Sequence, residues 1–163
     1  MHKSTWEWDE RFLTLAKNIG SWSKDTTKIG AVVVGAQKQI LAQGYNGFPR
    51  GIDDDVRRLA DRETKLKYVV HAEMNCIYNA CHSGVCLNGA ILFVSGLPVC
   101  SECAKGVIQV GIKRVVMLCD EKLMDGPWGA SWKMTKSMFD EANVTHRLFH
   151  EYSKDSNRLH PQS

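Results

Sequence analysis

Two short motifs hold the groups able to do chemistry. His71-Ala72-Glu73 sets a carboxylate two residues after an imidazole, and Cys100-Ser101-Glu102-Cys103 sets out two thiols just beyond Pro98. A Cys-x-x-Cys pair in a reduced protein reads as metal or redox chemistry. Adding an imidazole narrows the choice, because one nitrogen and two thiolates suit Zn²⁺, which prefers a tetrahedron of four ligands. His71, Cys100 and Cys103 would leave the fourth place for water, as a catalytic and not a closed structural site does. Zinc lowers the pKa of such a water from about 15.7 to about 7, so hydroxide becomes available at neutral pH. Glu73 is then the natural proton carrier beside it and need not be a ligand. Taken alone, the cysteine pair is more often structural zinc, a redox couple or coincidence than a catalytic site, and His-x-Glu alone carries almost nothing.

These groups converge only if the intervening elements bring them together. Helical spacing of Trp8, Phe12, Leu15, Ala16 and Ile19, behind a capping box at Ser4-Thr5-Trp6-Glu7, predicts a helix to about Ser21. Ile29–Val34 and Ile40–Tyr45 read as a hairpin across the turn 35–39, and Gly44, Gly47, Pro49 and Gly51 then break regular structure. Asp53–Lys67 is charge-rich and fits a helix with a solvated face. Helices are expected over Val69–Cys81, over Ser101–Val110 with Gly111 as its stop, and over Ser131–Ala142. Strands are expected over Ala90–Ser95, Arg114–Leu118 and Val144–Phe149, and the polar tail 154–163 is expected to fray. Alternating helix and strand after a hairpin gives an α/β fold with one mixed sheet between helical layers. The two motifs then open consecutive helices that flank a strand, and both helix N-termini can reach one sheet edge. Each such terminus favours a thiolate by about 0.3–1 kcal/mol.

The rest of the composition bounds the alternatives. The 163 residues form a single expected domain, 1–163, with a core over about 6–150 and a tail over 151–163. Net charge is +3, from 21 Lys and Arg against 18 Asp and Glu, which argues against a duplex-DNA or membrane-surface binder. No apolar run reaches the roughly 18 residues of a membrane span, and the first residues lack the apolar stretch of a signal peptide. Six cysteines without a secretory segment are expected to be reduced, which fits a cytoplasmic protein. Cys76 and Cys119 read as buried thiols. Cys81, His82 and Cys86 offer a weaker second metal grouping, and His2, His146, His150 and His160 stand without partners at metal spacing.

The joint pattern of His-x-Glu and Pro-(x)-Cys-x-x-Cys resembles the zinc-dependent cytidine deaminase superfamily, and within it the deoxycytidylate deaminases. The likeness extends to Trp22-Ser23-Lys24-Asp25, Lys28–Val34, Gly44-Tyr45-Asn46-Gly47 with Phe48-Pro49-Arg50-Gly51, the 53–67 insertion, His71–Asn75 and Cys103–Lys113. It covers residues 6 to 150. One departure is Val99, which separates Pro98 from Cys100 where the commoner pattern has Pro directly before Cys.

The resemblance implies a three-layer α/β/α cytidine-deaminase-like fold with a five-stranded mixed sheet. It implies hydrolysis of dCMP to dUMP and ammonia, supplying thymidylate synthesis, with His71, Cys100 and Cys103 on Zn²⁺ and Glu73 as proton shuttle. Asn46, Ala72, Lys24, Lys28 and Arg50 become candidates for contact with the nucleotide, and Trp128 or Trp132 for a stacking contact. Asn46 also fits a left-handed turn, each lysine a solvated charge, and each tryptophan core packing. Homohexamers, activation by dCTP, inhibition by dTTP, and Mg²⁺ with the triphosphate complete the implication. Two other readings remain: a deaminase of bases within RNA or single-stranded DNA, and a non-catalytic nucleotide-binding zinc protein. The acidic Asp53-Asp54-Asp55 run and the balanced charge disfavour a polynucleotide path.

Overall fold

Three strands with apolar residues on both faces organise the chain, seen in a computed structural model that describes residues 5–151 and 160–161. In β1 (Gly30–Val34), Ala31 and Val33 enter one core while Val32 and Val34 enter the other. The same period-2 split places Leu92 and Val94 opposite Phe93 in β3 (Ile91–Gly96), and Val115 and Met117 opposite Val116 and Leu118 in β4 (Arg114–Cys119). Such strands need cover on both sides. Helix α1 (Thr5–Gly20) covers one side with Phe12, Leu13, Ala16 and Ile19. The other side is covered by α4 (Ala72–Ser83), α5 (Ser101–Gln109) and α6 (Pro127–Glu141). An ion pair between the buried Asp9 of α1 and the half-buried Arg114 of β4, at 2.9 Å, ties the first layer to the sheet.

Strand order is β2-β1-β3-β4-β5-β6, with β2 at Ile40–Tyr45, β5 at Thr145–His150 and β6 at His160–Pro161. β2, β1 and β3 run antiparallel in turn, and β3, β4 and β5 run parallel. The expected five-stranded mixed sheet is present, and β6 adds a two-residue antiparallel strand that covers the otherwise open edge of β5. Within the tail, these two residues are the described ones. The remainder of the tail, and Ser4 of the capping box, lie outside the described residues.

Other departures trace to particular residues. The charge-rich 53–67 segment makes two short helices, α2 (Val56–Ala60) and α3 (Arg62–Tyr68), and not one. Asp61 separates them: its extended backbone ends α2, and its side chain accepts from the Thr64 N–H at 3.0 Å to cap α3. The helix expected from Val69 begins at Ala72, because Val69 is extended and Val70 pairs with Gly47 as an isolated β-bridge. Helix α6 begins four residues ahead of Ser131, at Pro127, whose fixed φ suits a first helical position. A 3₁₀ turn over Glu121–Asp125, capped by Asp120, leads into it.

Candidate metal centre and nucleotide cleft

The three donor side chains belong to two helix starts at the same end of the sheet. His71 is the N-cap of α4, and Cys100 is the N-cap of α5, with Cys103 one turn on. Helix α5 follows the C-terminal end of β3, the end at which parallel α/β sheets place ligands. Gly44 lets β2 lie against the first turn of α4: a Cβ there would stand 2.5 Å from the Cys76 nitrogen. Side chains of α4 fasten the contact. Asn75 Nδ2 donates to the Tyr45 carbonyl at 2.8 Å, and Asn79 Nδ2 donates to the Gln43 carbonyl at 2.6 Å. Val99 turns into the core, fully buried, and its carbonyl accepts from Thr135 Oγ1 at 2.9 Å, so Pro98 forms cleft wall and Cys100 still caps its helix.

The donor spacing fits zinc. Bonds of about 2.0 Å to nitrogen and about 2.3 Å to sulfur put the two kinds of donor roughly 3.5 Å apart in a tetrahedron. His71 Nδ1 lies 3.4 Å from Cys100 Sγ and 3.4 Å from Cys103 Sγ. Among the described residues this is the one group of three His, Cys, Asp or Glu side chains so placed. Cys81, His82 and Cys86 do not converge as a second such group, and both of these cysteines are exposed. The Cys103 thiol and the His71 imidazole hold Cys100 below the ordinary thiol range, despite its partial burial. Cys100 in turn raises His71 and, with burial, pushes Cys103 up. Cys76 and Cys119, by contrast, are buried away from positive charge, and burial pushes each thiol up to about 12.

Glu73 stands beside these donors. It is 3% exposed, and burial first, with the Cys100 sulfur adding to it, pushes its carboxyl up to about 7. A carboxyl poised there takes and releases protons near neutral pH.

A cleft with polar groups at its base and apolar walls opens above the metal donors. His71, Ala72, Glu73 and Cys100 line its floor; Ile29, Val69, Leu97 and Trp128 give it apolar walls. Trp132 is not among the lining residues: it packs on the core and meets His146 edge-on at 5.5 Å. Asn46 lines the cleft but is not left-handed. Its Oδ1 accepts from the Ile29 N–H at 3.0 Å and its Nδ2 donates to the Thr27 carbonyl at 2.7 Å, which leaves one N–H free to meet a ligand.

Lys24, Lys28 and Arg50 are not among the cleft-lining residues. Lys28 donates to the Ser23 carbonyl and Arg50 to Asn79 Oδ1. Lys24 pairs with Asp54 at 2.7 Å in a second, smaller pocket that contains Tyr45, Gly47 and Phe48. The cations on the wall of the cleft are instead Arg62 and Lys65 of α3, which the sequence reading passed over. Their signal was present: Arg62, Lys65, Leu66 and Val69 recur at helical spacing directly before His71.

Comparison with known proteins agrees with this geometry. Residues 6–119 match the family model for the cytidine and deoxycytidylate deaminase zinc-binding region. The chain is 39% identical over 149 residues to human deoxycytidylate deaminase, covering 88% of this chain and 80% of the human protein. It is 39% identical over 151 residues to a probable deoxycytidylate deaminase of Drosophila melanogaster, covering 86% of this chain and 71% of that one. The fold matches the crystal structure of the dCMP deaminase of cyanophage S-TIM5 in complex with dCMP and dUMP. There the TM-score is 0.70 at 24% identity, covering 90% of this chain and 99% of that chain.

Proposed function

The chain belongs to the cytidine and deoxycytidylate deaminase family, and from that premise we propose that it hydrolyses dCMP to dUMP and ammonia. The observation that carries the reading is the convergence of His71, Cys100 and Cys103 beside the buried Glu73, where His71, Glu73 and Cys100 line an open cleft.

His71 Nδ1 and the Cys100 and Cys103 sulfurs would hold Zn²⁺, which would supply the Lewis acidity that makes water a nucleophile near neutral pH. Glu73 accepts the proton of the water that adds to C4 and passes it to N3 of the ring. It then takes the remaining proton from the C4 hydroxyl and delivers it to the 4-amino group, which leaves as ammonia as the C4–N bond breaks and the C4 oxygen becomes a carbonyl. Burial suits Glu73 to this exchange by lifting its carboxyl towards neutrality. Ala72 offers a backbone N–H from the first turn of α4, where helix donors have no intrahelical partner, and it is assigned to the base carbonyl. Trp128 supplies a face for the base, and Asn46 offers its remaining N–H to the sugar.

The second pocket, with Lys24 and the Gly-Tyr-Asn-Gly loop, is the place assigned to dCTP or dTTP with Mg²⁺. Lys28 and Arg50 are assigned to loop structure, given their internal hydrogen bonds. A homo-oligomer, a hexamer by family likeness, in the cytoplasm, and one catalytic domain across the chain complete the proposal. Among the described residues no helix is long and apolar enough to cross a membrane. The dUMP formed would feed thymidylate synthesis.

The test is ammonia release from zinc-loaded protein offered dCMP, deoxycytidine and a cytosine-containing oligonucleotide. Preference for dCMP is expected; preference for the oligonucleotide would replace this reading. Glu73→Gln should retain zinc and lose about 10²–10⁴-fold in turnover. Undiminished turnover in that variant would refute the shuttle.

A further inference from the structure

We infer that Lys65 and Arg62 form the clamp for the nucleotide's 5′-phosphate, with Asp25 as the positioning residue that holds Lys65 ready. The inference rests on the proposed reading and assigns the part of the substrate that the mechanism leaves unread.

Exposure grades the cleft from bottom to rim. Ala72, Glu73 and Ile29 are buried, Lys65 and Val69 are half-buried, and Arg62 and Leu66 are exposed. A base with C4 over the metal donors therefore sends its phosphate towards α3. That helix presents one face to the cleft: Arg62, Lys65 and Leu66, continued by Val69, all line it. Leu66 leaves half its surface open, as an apolar group does on the wall of a binding site.

Lys65 is arranged for a ligand. Its Nζ lies 3.0 Å from Asp25 Oδ1, with only 16% of the lysine side chain and 8% of the aspartate side chain exposed. Asp25 is fixed in turn by the Thr27 N–H at 3.0 Å and by its own N–H on Ser23 Oγ at 3.2 Å. One carboxylate occupies one of the three ammonium N–H groups, so two remain for phosphate oxygens. Arg62 has no ion-pair partner among the described residues. Arg62, Lys65 and Asp25 together leave one positive charge in excess at the rim, which a dianionic phosphate meets and a neutral nucleoside does not.

The experiment compares Arg62→Gln and Lys65→Met with the wild type, all zinc-loaded. It measures kcat/KM on dCMP and on deoxycytidine, and calorimetric affinity for dUMP and for deoxyuridine. Each variant should lose about 30-fold or more on dCMP, chiefly through KM, with dUMP affinity falling in step and the nucleosides changing by less than about 3-fold. Equal losses on nucleotide and nucleoside would show a merely structural role and overturn the clamp, as would full activity on dCMP in both variants. Lys65→Met leaves Asp25 buried without its partner; Arg62→Gln, on an exposed residue, carries the test if that variant fails to fold. A wild type that deaminates both substrates without preferring dCMP would sink the clamp alone. A wild type that deaminates neither would sink the proposed function.

Discussion

Substitution of Gly44 by alanine should open the metal centre from a distance. The added Cβ would stand 2.5 Å from the Cys76 nitrogen and 2.9 Å from the Ala72 carbonyl oxygen, both backbone atoms of α4. Ordinary contact begins at 3.4 Å, so the start of α4 must retreat from β2 by about 0.9 Å. His71 and Glu73 travel with that helix, while Cys100 and Cys103 ride on α5. A misplacement near 1 Å costs about 100-fold in rate, and overpacking costs about 1–3 kcal/mol of stability. The assays are zinc per chain after exhaustive dialysis, ammonia release, and a thermal melt. Gly44→Ala should lose most of its zinc, about 100-fold in turnover and several degrees of Tm. Gly47→Ala, three residues on and just beyond β2, is the control, since its Cβ would meet nothing nearer than Tyr45 Cε2 at 3.8 Å. A Gly44→Ala protein that kept full zinc and wild-type turnover would refute the claim that this approach sets the donor spacing.

Other outcomes follow from single contacts. Thr135→Val leaves the Val99 carbonyl without its buried donor, and should cost about 1–3 kcal/mol in chemical denaturation; an unchanged midpoint would remove Thr135 as a support of the cysteine loop. Burial pushes the Asp25 carboxyl up, but the Thr27 N–H and Lys65 outweigh it and hold the group below its ordinary value. Its folded pKa is therefore depressed, so its stabilisation is present above the unfolded value of about 3.9 and is lost as pH falls through the folded one. The Tm gap between wild type and Lys65→Met should accordingly close in that acid range, and a gap constant with pH would contradict it. With zinc bound, the solvent-facing thiols are Cys81 and Cys86. Chelation should add one fast-reacting thiol, Cys100, which its neighbours hold towards thiolate; an unchanged thiol count would mean that the ion does not sit on it.

The sheet was legible because β1, β3 and β4 are short apolar runs with β-branched residues, bounded by glycines and turns. The metal donors were legible because metal chemistry restricts both residue type and spacing. Element starts were harder, since they hang on one competing contact each: the Val70–Gly47 bridge delays α4, and Pro127 advances α6. The break at Asp61 was hidden because an aspartate inside a charged run looks like one more solvated side chain. Arg62 and Lys65 were missed for a related reason. The apolar neighbours on their helical face cover a cavity and not the core, so the segment reads as a surface helix. The short strand β6 has no periodicity of its own and exists through its pairing with β5.

Asp25, Asn46 and Val69 line the nucleotide cleft on one side and the Lys24 pocket on the other. The two chambers thus have these three residues in common. A shift of any of these three side chains therefore changes the shape of both chambers at once, with no relay through the sheet.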